Sequence, residues 1–327
     1  MRVTNDSVAL TPRTEFDGPM LELDFPGLEI GVAEYDEGPT GCTVFHFPEG
    51  ASVATDVRGG SPAMLGGSEW VRAICFAGGS FYGLEATMGV AAELFARGGY
   101  ATGWTDIKPV SGAIVFDFRP RGNAVYPDKE LGRVALRAAR PGRFPLGPRG
   151  AGRSATVGKT FALERGETSG QGGAFRKLGP TKLAVFVVVN AFGGVVDRDG
   201  TVVRGHLDSG GTTRLPLVPE LERRIAVGEG PAFAPGNTTL TLVVTNERLE
   251  RRALQQVGRQ VHASLARAIQ PFHTLVDGDV LYAATTNEVE NRQLDSVTLG
   301  VLAGELAWDA VLRAVTAAPP SRMTAAP

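Results

Sequence analysis

The chain has 327 residues with 33 basic and 35 acidic side chains, so no charge excess draws it to nucleic acid or to an anionic membrane. Its hydrophobic fraction of 43% and charged fraction of 21% predict a globular protein and exclude a disordered or fibrous one. The first ten residues lack the apolar stretch of a secretory signal, and the apolar run 183–196 falls short of the ~20 residues that span a membrane. We therefore expect a cytoplasmic protein with Cys42 and Cys75 as buried free thiols.

The first half of the chain predicts short strands followed by a helix of small residues. Apolar and polar residues alternate from Leu21 to Phe47 between Pro and Gly breaks, which predicts half-buried strands. Residues 80–95 carry apolar side chains at helical spacing and end before two glycines, which predicts a buried helix. Further on, the pattern predicts a strand over 113–118, a helix from Pro127 to about Ala139 and a loop over 140–158.

The second half predicts longer, fully covered strands. The branched apolar run Leu183 to Val189 predicts a strand covered on both faces, with Asn190 at its end. The pattern then predicts a strand over 240–245, a helix capped by Asn246 and stopped by Pro271, a strand over 280–285 and a helix over 296–315. Residues 1–18 and 317–327 read as loose ends. This interleaving favours one α/β domain in which sheets lie between layers of helices.

Several motif matches fail on inspection. Residues 153–160 resemble a phosphate-binding loop, but Arg153 stands where the first glycine is needed and no strand precedes it. The Asp-rich segments 197–200 and 277–279 do not continue into a calcium-binding loop. The chain contains neither an H-E-x-x-H nor a G-x-S-x-G motif, so zinc-hydrolase and serine-elbow chemistry lack support.

One turn places a hydroxyl in an unusual position. Gly236 and Asn237 form a turn that delivers Thr238 to the start of a buried strand. A hydroxyl there is fixed by the sheet, while the peptide bond before it lies in a turn. Taken alone, the pattern is more typical of an ordinary strand, because threonine has a high β-propensity.

Seven segments, in one order, resemble the P1 (DmpA-like) peptidase family. That family contains L-aminopeptidase/D-esterases, β-peptidyl aminopeptidases and hydrolases of 6-aminohexanoate oligomers. The resemblance runs from about Leu21 to Val315 and is carried by Asp24–Gly27, Glu37–Gly41, Ala77–Glu85, Tyr126–Lys129, Gly170–Gly172, Gly236–Thr239 and the segment 270–279.

The resemblance implies an αββα sandwich of the N-terminal-nucleophile kind, related to ornithine acetyltransferase. A precursor spanning residues 1–327 would cut its own Asn237–Thr238 bond, and the chains 1–237 and 238–327 would stay associated. The freed α-amine of Thr238 would act as general base for its own hydroxyl, since such amines titrate at about 7.7–8.0. The implied activity is hydrolysis of 6-aminohexanoate oligomers or similar linear amides by a tetramer of such units, without metal or cofactor.

The same resemblance implies which residues surround the nucleophile. Lys159, Asn190, Asp277 and Asp279 are the implied partners of Thr238. Lysine would donate to the threonine oxygen, asparagine would stabilise an oxyanion, and the two aspartates would orient the nucleophile. Tyr126 is a weaker candidate for the substrate pocket, as is Phe116, which stands where the oligomer hydrolases have tyrosine.

Three alternatives remain open from the sequence. The substrate class fits an L-aminopeptidase/D-esterase or a β-peptidyl aminopeptidase as well as an oligomer hydrolase. An acyltransferase of the ornithine-acetyltransferase kind uses the same type of nucleophile, and transfer of an acyl group to an amine would distinguish it. A non-catalytic assembly protein would keep residues 237 and 238 joined, with Thr238 as an ordinary strand residue.

Overall fold

The computed structural model describes residues 2–230 and 235–319. Its α-helices are α1 (Leu84–Arg97), α2 (Lys129–Arg137), α3 (Leu217–Ala226), α4 (Arg251–Ser264) and α5 (Ser296–Thr316). Short 3₁₀ turns lie at Ser80–Gly83, Trp104–Asp106, Gly150–Gly152, Leu163–Arg165 and Leu265–Arg267. The strands are β1 (Pro12–Arg13), β2 (Met20–Glu22), β3 (Glu29–Tyr35), β4 (Thr40–Val57), β5 (Met64–Leu65), β6 (Trp70–Ala77), β7 (Val110–Ile114), β8 (Arg140–Pro141), β9 (Arg143–Pro145), β10 (Thr156–Val157), β11 (Glu167–Thr168), β12 (Gln171–Leu178), β13 (Thr181–Asn190), β14 (Gly194–Val196), β15 (Val202–Arg204), β16 (Thr238–Glu247), β17 (Ile269–Gln270) and β18 (Val280–Val289).

One large mixed sheet organises the molecule. Its strands follow the order β12-β13-β16-β18-β4-β6-β7-β5, and β3 joins at the edge of β4. β16 runs parallel to β18 and β6 parallel to β7, whereas the other pairs along this path are antiparallel. The long strand β4 pairs with β3 through residues 40–46 and with β18 through residues 52–57. A register shift between His46 and Ala51 marks the change, so β4 links the two halves of the sheet.

The two halves of this sheet face each other, because aromatic side chains from both meet in one core. The ring of Phe45 on β4 lies 4.9 Å from that of Phe186 on β13, and Phe76 on β6 lies 6.2 Å from Tyr282 on β18. The outer faces of the halves form two further cores, one beneath α1 and α2 and one beneath α4 and α5. The predicted arrangement of sheets between helix layers is therefore confirmed, with β4 joining the two sheets into one.

This layering corrects the prediction of half-buried strands near the N-terminus. In β3, Ile30 and Val32 face the central core while Ala33 and Tyr35 face the helices, so both faces are covered. The strand predicted over 113–118 ends at Ile114, and the loop predicted over 140–158 contains the short strands β8, β9 and β10. The helix of small residues is α1 with its 3₁₀ entry, but Phe81 and Met88 on it are 69% and 55% exposed, so it is buried on one face alone.

The prediction that Asn246 caps a helix is wrong. Asn246 lies inside β16, where its side chain accepts a hydrogen bond from the Lys182 N–H and donates one to the Pro180 carbonyl. These bonds tie β16 to the hairpin that opens β13. Helix α4 begins after Glu250 and ends at Ser264, seven residues before Pro271, because a 3₁₀ turn and β17 follow it.

The N-terminal segment is docked rather than loose. The carbonyl of Val3 accepts from the Ala124 N–H, the side chain of Asn5 bonds the backbone of Tyr126, and β1 pairs with β3. Of the predicted C-terminal loose end, residues 320–327 lie outside the described part of the chain. Among the described residues, no helix is both long and apolar enough to cross a membrane, and the cytoplasmic location stays a prediction.

Candidate active site

Strand pairing places Asn190 directly opposite Thr238. Asn190 is the last residue of β13 and Thr238 the first of β16, and the two are register partners in the antiparallel pair. The turn before Thr238 depends on Gly236, whose φ of 92° favours glycine. A Cβ on Gly236 would lie 2.8 Å from the ring of Phe116, so this ring packs closely against the turn. The turn places its last two residues in the interior: Asn237 and Thr238 are only 1% and 5% exposed.

The carbonyl group between Asn237 and Thr238 is held from two sides. The Gly278 N–H donates to the Asn237 carbonyl oxygen at 2.7 Å, and the Thr238 hydroxyl donates to the same oxygen at 2.5 Å. A backbone N–H aimed at a carbonyl oxygen is the kind of donor that stabilises the oxyanion of a tetrahedral intermediate. Nothing in the sequence marks Gly278 as a donor beyond its place between the two aspartates.

The Asn190 side chain connects the nucleophile's strand to Lys159. Its amide nitrogen donates to the Phe116 carbonyl at 3.0 Å and to the Gly236 carbonyl at 3.5 Å. Its amide oxygen accepts from the Thr156 N–H at 3.0 Å and from Lys159 Nζ at 3.2 Å. In the uncleaved chain the Asn190 amide therefore contacts the carbonyl of Gly236, while the carbonyl of Asn237 accepts a hydrogen bond from the Gly278 N–H.

Lys159 is buried beside this amide. Its ammonium also donates to the Asn190 backbone carbonyl at 3.2 Å, and the residue is only 3% exposed. Burial lowers the pKa of Lys159 to about 7; the nearby charge of Asp277 opposes that fall and the charge of Arg119 adds to it. A lysine with this pKa exchanges a proton near neutral pH, as general acid–base catalysis requires.

Asp277 sits in the loop that carries Gly278. Its carboxylate accepts from the Phe192 N–H at 3.2 Å and from the N–H and hydroxyl of Thr274 at 3.1 and 2.5 Å. Burial is the main cause that raises the pKa of Asp277, and the charge of Asp279 raises it further. Asn237 and Asp277 also form an isolated parallel bridge, so this loop lies alongside the Asn237–Thr238 peptide bond.

Asp279 fixes the backbone immediately after the nucleophile. It accepts from the Thr239 N–H at 2.7 Å, and its second oxygen accepts from the His273 N–H at 3.2 Å and contacts His273 Nδ1 at 3.0 Å. His273 has a φ of 58°, in the left-handed region that few non-glycine residues adopt. Sequence reasoning assigned this histidine no role, although it stood within one of the segments that carried the family resemblance.

A cavity of about 690 Å³ opens beside the site. Phe116 and Tyr126 both line it, which is the placement predicted for them as substrate-binding residues, although their role stays a prediction. Arg119, which the sequence did not single out, also lines it, with its guanidinium 5.3 Å from the centre of the Phe116 ring. The N-terminal segment contributes Arg2, Thr4, Asn5 and Asp6 to the wall.

A buried ion pair shapes the loop between Phe116 and Tyr126. Arg121 binds Asp117 Oδ1 at 2.7 Å, and its other nitrogens donate to the carbonyls of Asp117, Gly38 and Val125. The Asp117 carboxylate also accepts from the Thr40 hydroxyl at 2.7 Å and the Gly79 N–H at 2.8 Å. Because Gly38, Thr40 and Gly79 lie far in sequence from the segment 117–125, the pair holds the cavity's rim in one conformation.

The described residues bring together every residue that the sequence placed around the nucleophile. Thr238 supplies a hydroxyl next to a polarised carbonyl, with Asn190 as its register partner. Asp277 bridges to Asn237 and Asp279 accepts from the Thr239 N–H, whereas Lys159 joins the group through its hydrogen bonds to Asn190. The arrangement suits nucleophilic attack by the hydroxyl on an amide carbon. Within residues 2–230 and 235–319 there is no group of three or more His, Cys, Asp or Glu side chains that would hold a metal ion.

Comparison with known proteins gives the family. Residues 23–325 match peptidase family S58. The chain is 46% identical over 320 residues to a 6-aminohexanoate-oligomer endohydrolase of Agromyces sp. (strain KY5R), covering 95% of this chain and 90% of that protein.

Two solved structures share the fold. A β-aminopeptidase of Burkholderia sp. superposes with a TM-score of 0.65 at 16% identity, covering 94% of this chain and 90% of the other. The L-aminopeptidase D-Ala-esterase/amidase of Ochrobactrum anthropi, described as a variant of the Ntn hydrolase fold, gives a TM-score of 0.64 at 14% identity, covering 93% and 89%. The resemblance noted in the sequence is therefore confirmed: the chain belongs to peptidase family S58 and is a hydrolase with an N-terminal-nucleophile fold.

Proposed function

We propose that this chain is made as a precursor that cuts its own Asn237–Thr238 bond and then hydrolyses 6-aminohexanoate oligomers or similar linear amides through Thr238. The observation that carries the proposal is the double contact on the Asn237 carbonyl oxygen, from the Thr238 hydroxyl at 2.5 Å and from the Gly278 N–H at 2.7 Å. The substrate class is supported by the relative that is 46% identical and named for that reaction.

Self-cleavage follows from this geometry in two steps. The Thr238 oxygen attacks the Asn237 carbonyl carbon and gives up its proton, while the Gly278 N–H stabilises the oxyanion. The carbon–nitrogen bond then breaks, the nitrogen takes a proton, and an ester joins Asn237 to the threonine oxygen. Water hydrolyses this ester, which leaves a carboxylate on Asn237 and a free α-amine and hydroxyl on Thr238.

Substrate turnover then repeats the chemistry with a new base. The α-amine of Thr238 accepts the hydroxyl proton as the oxygen attacks the substrate amide, and an acyl-enzyme forms as the amine product leaves. Lys159 supports this step because its pKa of about 7 lets it donate or accept a proton at neutral pH, and Asn190 holds its ammonium. Asp279 keeps the nucleophile's strand in place through the Thr239 N–H.

A panel of substrates tests the assignment. Linear and cyclic 6-aminohexanoate oligomers should be turned over by the processed protein, and Thr238→Ala should abolish that turnover. Activity confined to aminoacyl p-nitroanilides would instead favour an L-aminopeptidase or β-peptidyl aminopeptidase. Acyl transfer to an added amine that outruns hydrolysis would favour an acyltransferase.

The proposed assembly is a tetramer of processed units. It is supported by apolar side chains on and near α1 that are largely exposed in the single chain: Phe81 at 69%, Met88 at 55%, Tyr100 at 61% and Trp104 at 88%. A surface patch of this kind typically marks a protein–protein contact. Light scattering on the purified protein should give the mass of four units, and a monomer would contradict the assembly.

A further inference from the structure

The position of Arg119 relative to the bond to be cut determines which part of a substrate it meets. Gly236 precedes the scissile Asn237–Thr238 bond, so it occupies the acyl side of the site in the precursor. The Phe116 ring packs against Gly236, and the Arg119 guanidinium lies 5.3 Å from the centre of that ring. A substrate acyl group that takes the place of residues 236–237 therefore extends along Phe116 toward Arg119.

Arg119 is a cation that the fold leaves without an ionic partner. Its side chain is partly buried, and among the described residues no carboxylate lies within ion-pair distance of it. Burial alone lowers the pKa of Arg119, yet arginine remains charged in proteins. The cavity's other charged lining residues are Arg2 and Asp6, so cations outnumber anions by two to one.

The charge of Arg119 acts on other cations near the site. It reaches Lys159, since it contributes to the lowered pKa of that lysine, while the charge of Asp277 acts in the opposite direction. An ammonium brought into the cavity by a substrate would meet the same repulsion from Arg119, whereas a carboxylate would be attracted.

We propose that Arg119 makes the cavity selective for acyl chains whose far end is anionic or neutral and against acyl chains that end in an ammonium group. The inference rests on the proposed function, because it assumes turnover at Thr238. Half-amides of linear dicarboxylic acids, which carry a carboxylate on the acyl part, are the favoured class of substrate. In an oligomer of 6-aminohexanoate, the amide next to the free amino end would bring an ammonium into the cavity, so cleavage falls on inner amides.

Three p-nitroanilides of matched length test this directly. Adipic acid mono-p-nitroanilide, hexanoyl p-nitroanilide and 6-aminohexanoyl p-nitroanilide share a leaving group and differ only at the far end, which is anionic, neutral or cationic. For the wild-type protein we expect kcat/KM for the adipic compound to exceed that for the aminohexanoyl compound by about 10-fold or more, with the hexanoyl compound between them. A wild-type preference for the ammonium compound would overturn the proposal.

Variants assign the preference to Arg119. Arg119→Met should bring the three rates to within about 3-fold of one another, Arg119→Glu should reverse their order, and Arg119→Lys should keep it. The matched control is Arg72→Met, because Arg72 also lies over an aromatic ring, 5.8 Å from the centre of Trp70, but does not line the cavity. Unchanged ratios in Arg119→Met and Arg119→Glu would overturn the proposal.

Two further measurements keep the inference testable if a variant folds poorly or if no anilide is cleaved. Raising the ionic strength from about 50 mM to about 500 mM should shrink the wild-type preference, because salt screens the charge interaction. Calorimetry should show that adipic acid monoamide binds the wild-type protein more tightly than 6-aminohexanamide does. Absence of hydrolysis together with this binding preference counts against the proposed function alone, whereas equal binding counts against the role of Arg119.

Discussion

The backbone N–H of Gly278 donates a hydrogen bond to the carbonyl oxygen of Asn237 across 2.7 Å. The donor belongs to a loop whose two flanking aspartates are themselves anchored, Asp277 by Phe192 and Thr274 and Asp279 by Thr239. The carbonyl of Asn237 therefore faces a backbone dipole that is held in place. The contact joins the segment 277–279 to the peptide bond that precedes Thr238. The proposed self-cleavage depends on this preorganised donor.

Gly278→Ala should slow self-cleavage strongly. A Cβ at this position would lie 2.7 Å from the Thr238 hydroxyl oxygen and 2.7 Å from the Ser61 carbonyl oxygen, so the loop or the nucleophile must move. Loss of one oxyanion donor typically costs on the order of 10²–10³ in rate. The half-time of chain cleavage after expression measures the effect. Gly210→Ala is the control, because a Cβ there meets nothing closer than 3.5 Å, and equal rates for the two variants would refute the role of Gly278.

Lys159→Met should stabilise the uncleaved fold most at low pH. The pKa of Lys159 is lowered from 10.5 to about 7, so between these values the unfolded chain binds more protons than the folded chain. The free energy of unfolding of the chain that keeps Lys159 therefore rises with pH between about 7 and 10.5. Below a pH of about 7 the destabilisation from burying this lysine reaches its full size.

The measurement compares Thr238→Ala with Thr238→Ala/Lys159→Met, so that both chains remain in one piece. We expect the difference in the free energy of unfolding between them to grow as the pH falls from 10 to 7, at up to about 1.4 kcal/mol per pH unit, and to level off below pH 7. Urea unfolding at four pH values gives this difference. If the difference in the free energy of unfolding does not vary with pH, burial does not disfavour the charged form of Lys159.

His273→Ala should lower kcat with little change in KM. His273 contacts the Asp279 oxygen with both its N–H and its Nδ1, and Asp279 in turn holds the Thr239 N–H. Without the imidazole, the carboxylate keeps the backbone N–H of residue 273 but loses the ring contact, so it holds the Thr239 N–H less firmly, and we expect kcat to fall by about 10-fold. His273→Asn should restore most of the rate, since asparagine supplies an N–H donor and tolerates a positive φ. If kcat falls equally in both variants, His273 does not position Asp279 through its side-chain donor and has a structural role alone.

Arg121→Met should destabilise the protein by about 3–5 kcal/mol, because it leaves Asp117 charged and buried without its partner. Both side chains of this pair are almost fully enclosed, at 1% and 0% exposure. The Thr238→Ala chain again serves as background, and denaturant unfolding gives the change. Arg97→Met, which removes another arginine paired four residues apart but at the surface, should cost less than about 1 kcal/mol. Similar costs for the two changes would contradict the structural role of the buried pair.

The long strands and helices of the second half could be predicted from the sequence because their periodicity is unambiguous. The run from Leu183 to Asn190 reads as a doubly covered strand, and its register partner begins at Thr238, as the glycine-asparagine turn indicated. The prediction failed at Asn246. Asparagine often caps helices, but the side chain of Asn246 bonds the backbone of Lys182 and Pro180 in the hairpin before β13. Capping preference is local, and here tertiary hydrogen bonds override it.

The residues around the cavity and behind the nucleophile were harder to predict. No motif marks Arg119, Arg121 or His273, and part of the surroundings of Arg121, the Gly38 carbonyl, lies far away in sequence. Half-buried strands were expected near the N-terminus because alternation suggests one wet face, yet two helix layers cover both faces of the sheet. Only the family resemblance placed Lys159 near Asn190, and the structure puts their side chains 3.2 Å apart.

Intact-mass spectrometry of the purified wild-type protein beside Thr238→Ala decides whether the chain cuts itself. Self-cleavage predicts two associated chains from the wild-type protein, with the masses of residues 1–237 and 238–327, and a single full-length chain from the variant. A variant that still splits at this bond, or a wild-type protein that hydrolyses amides while residues 237 and 238 remain joined, would contradict it.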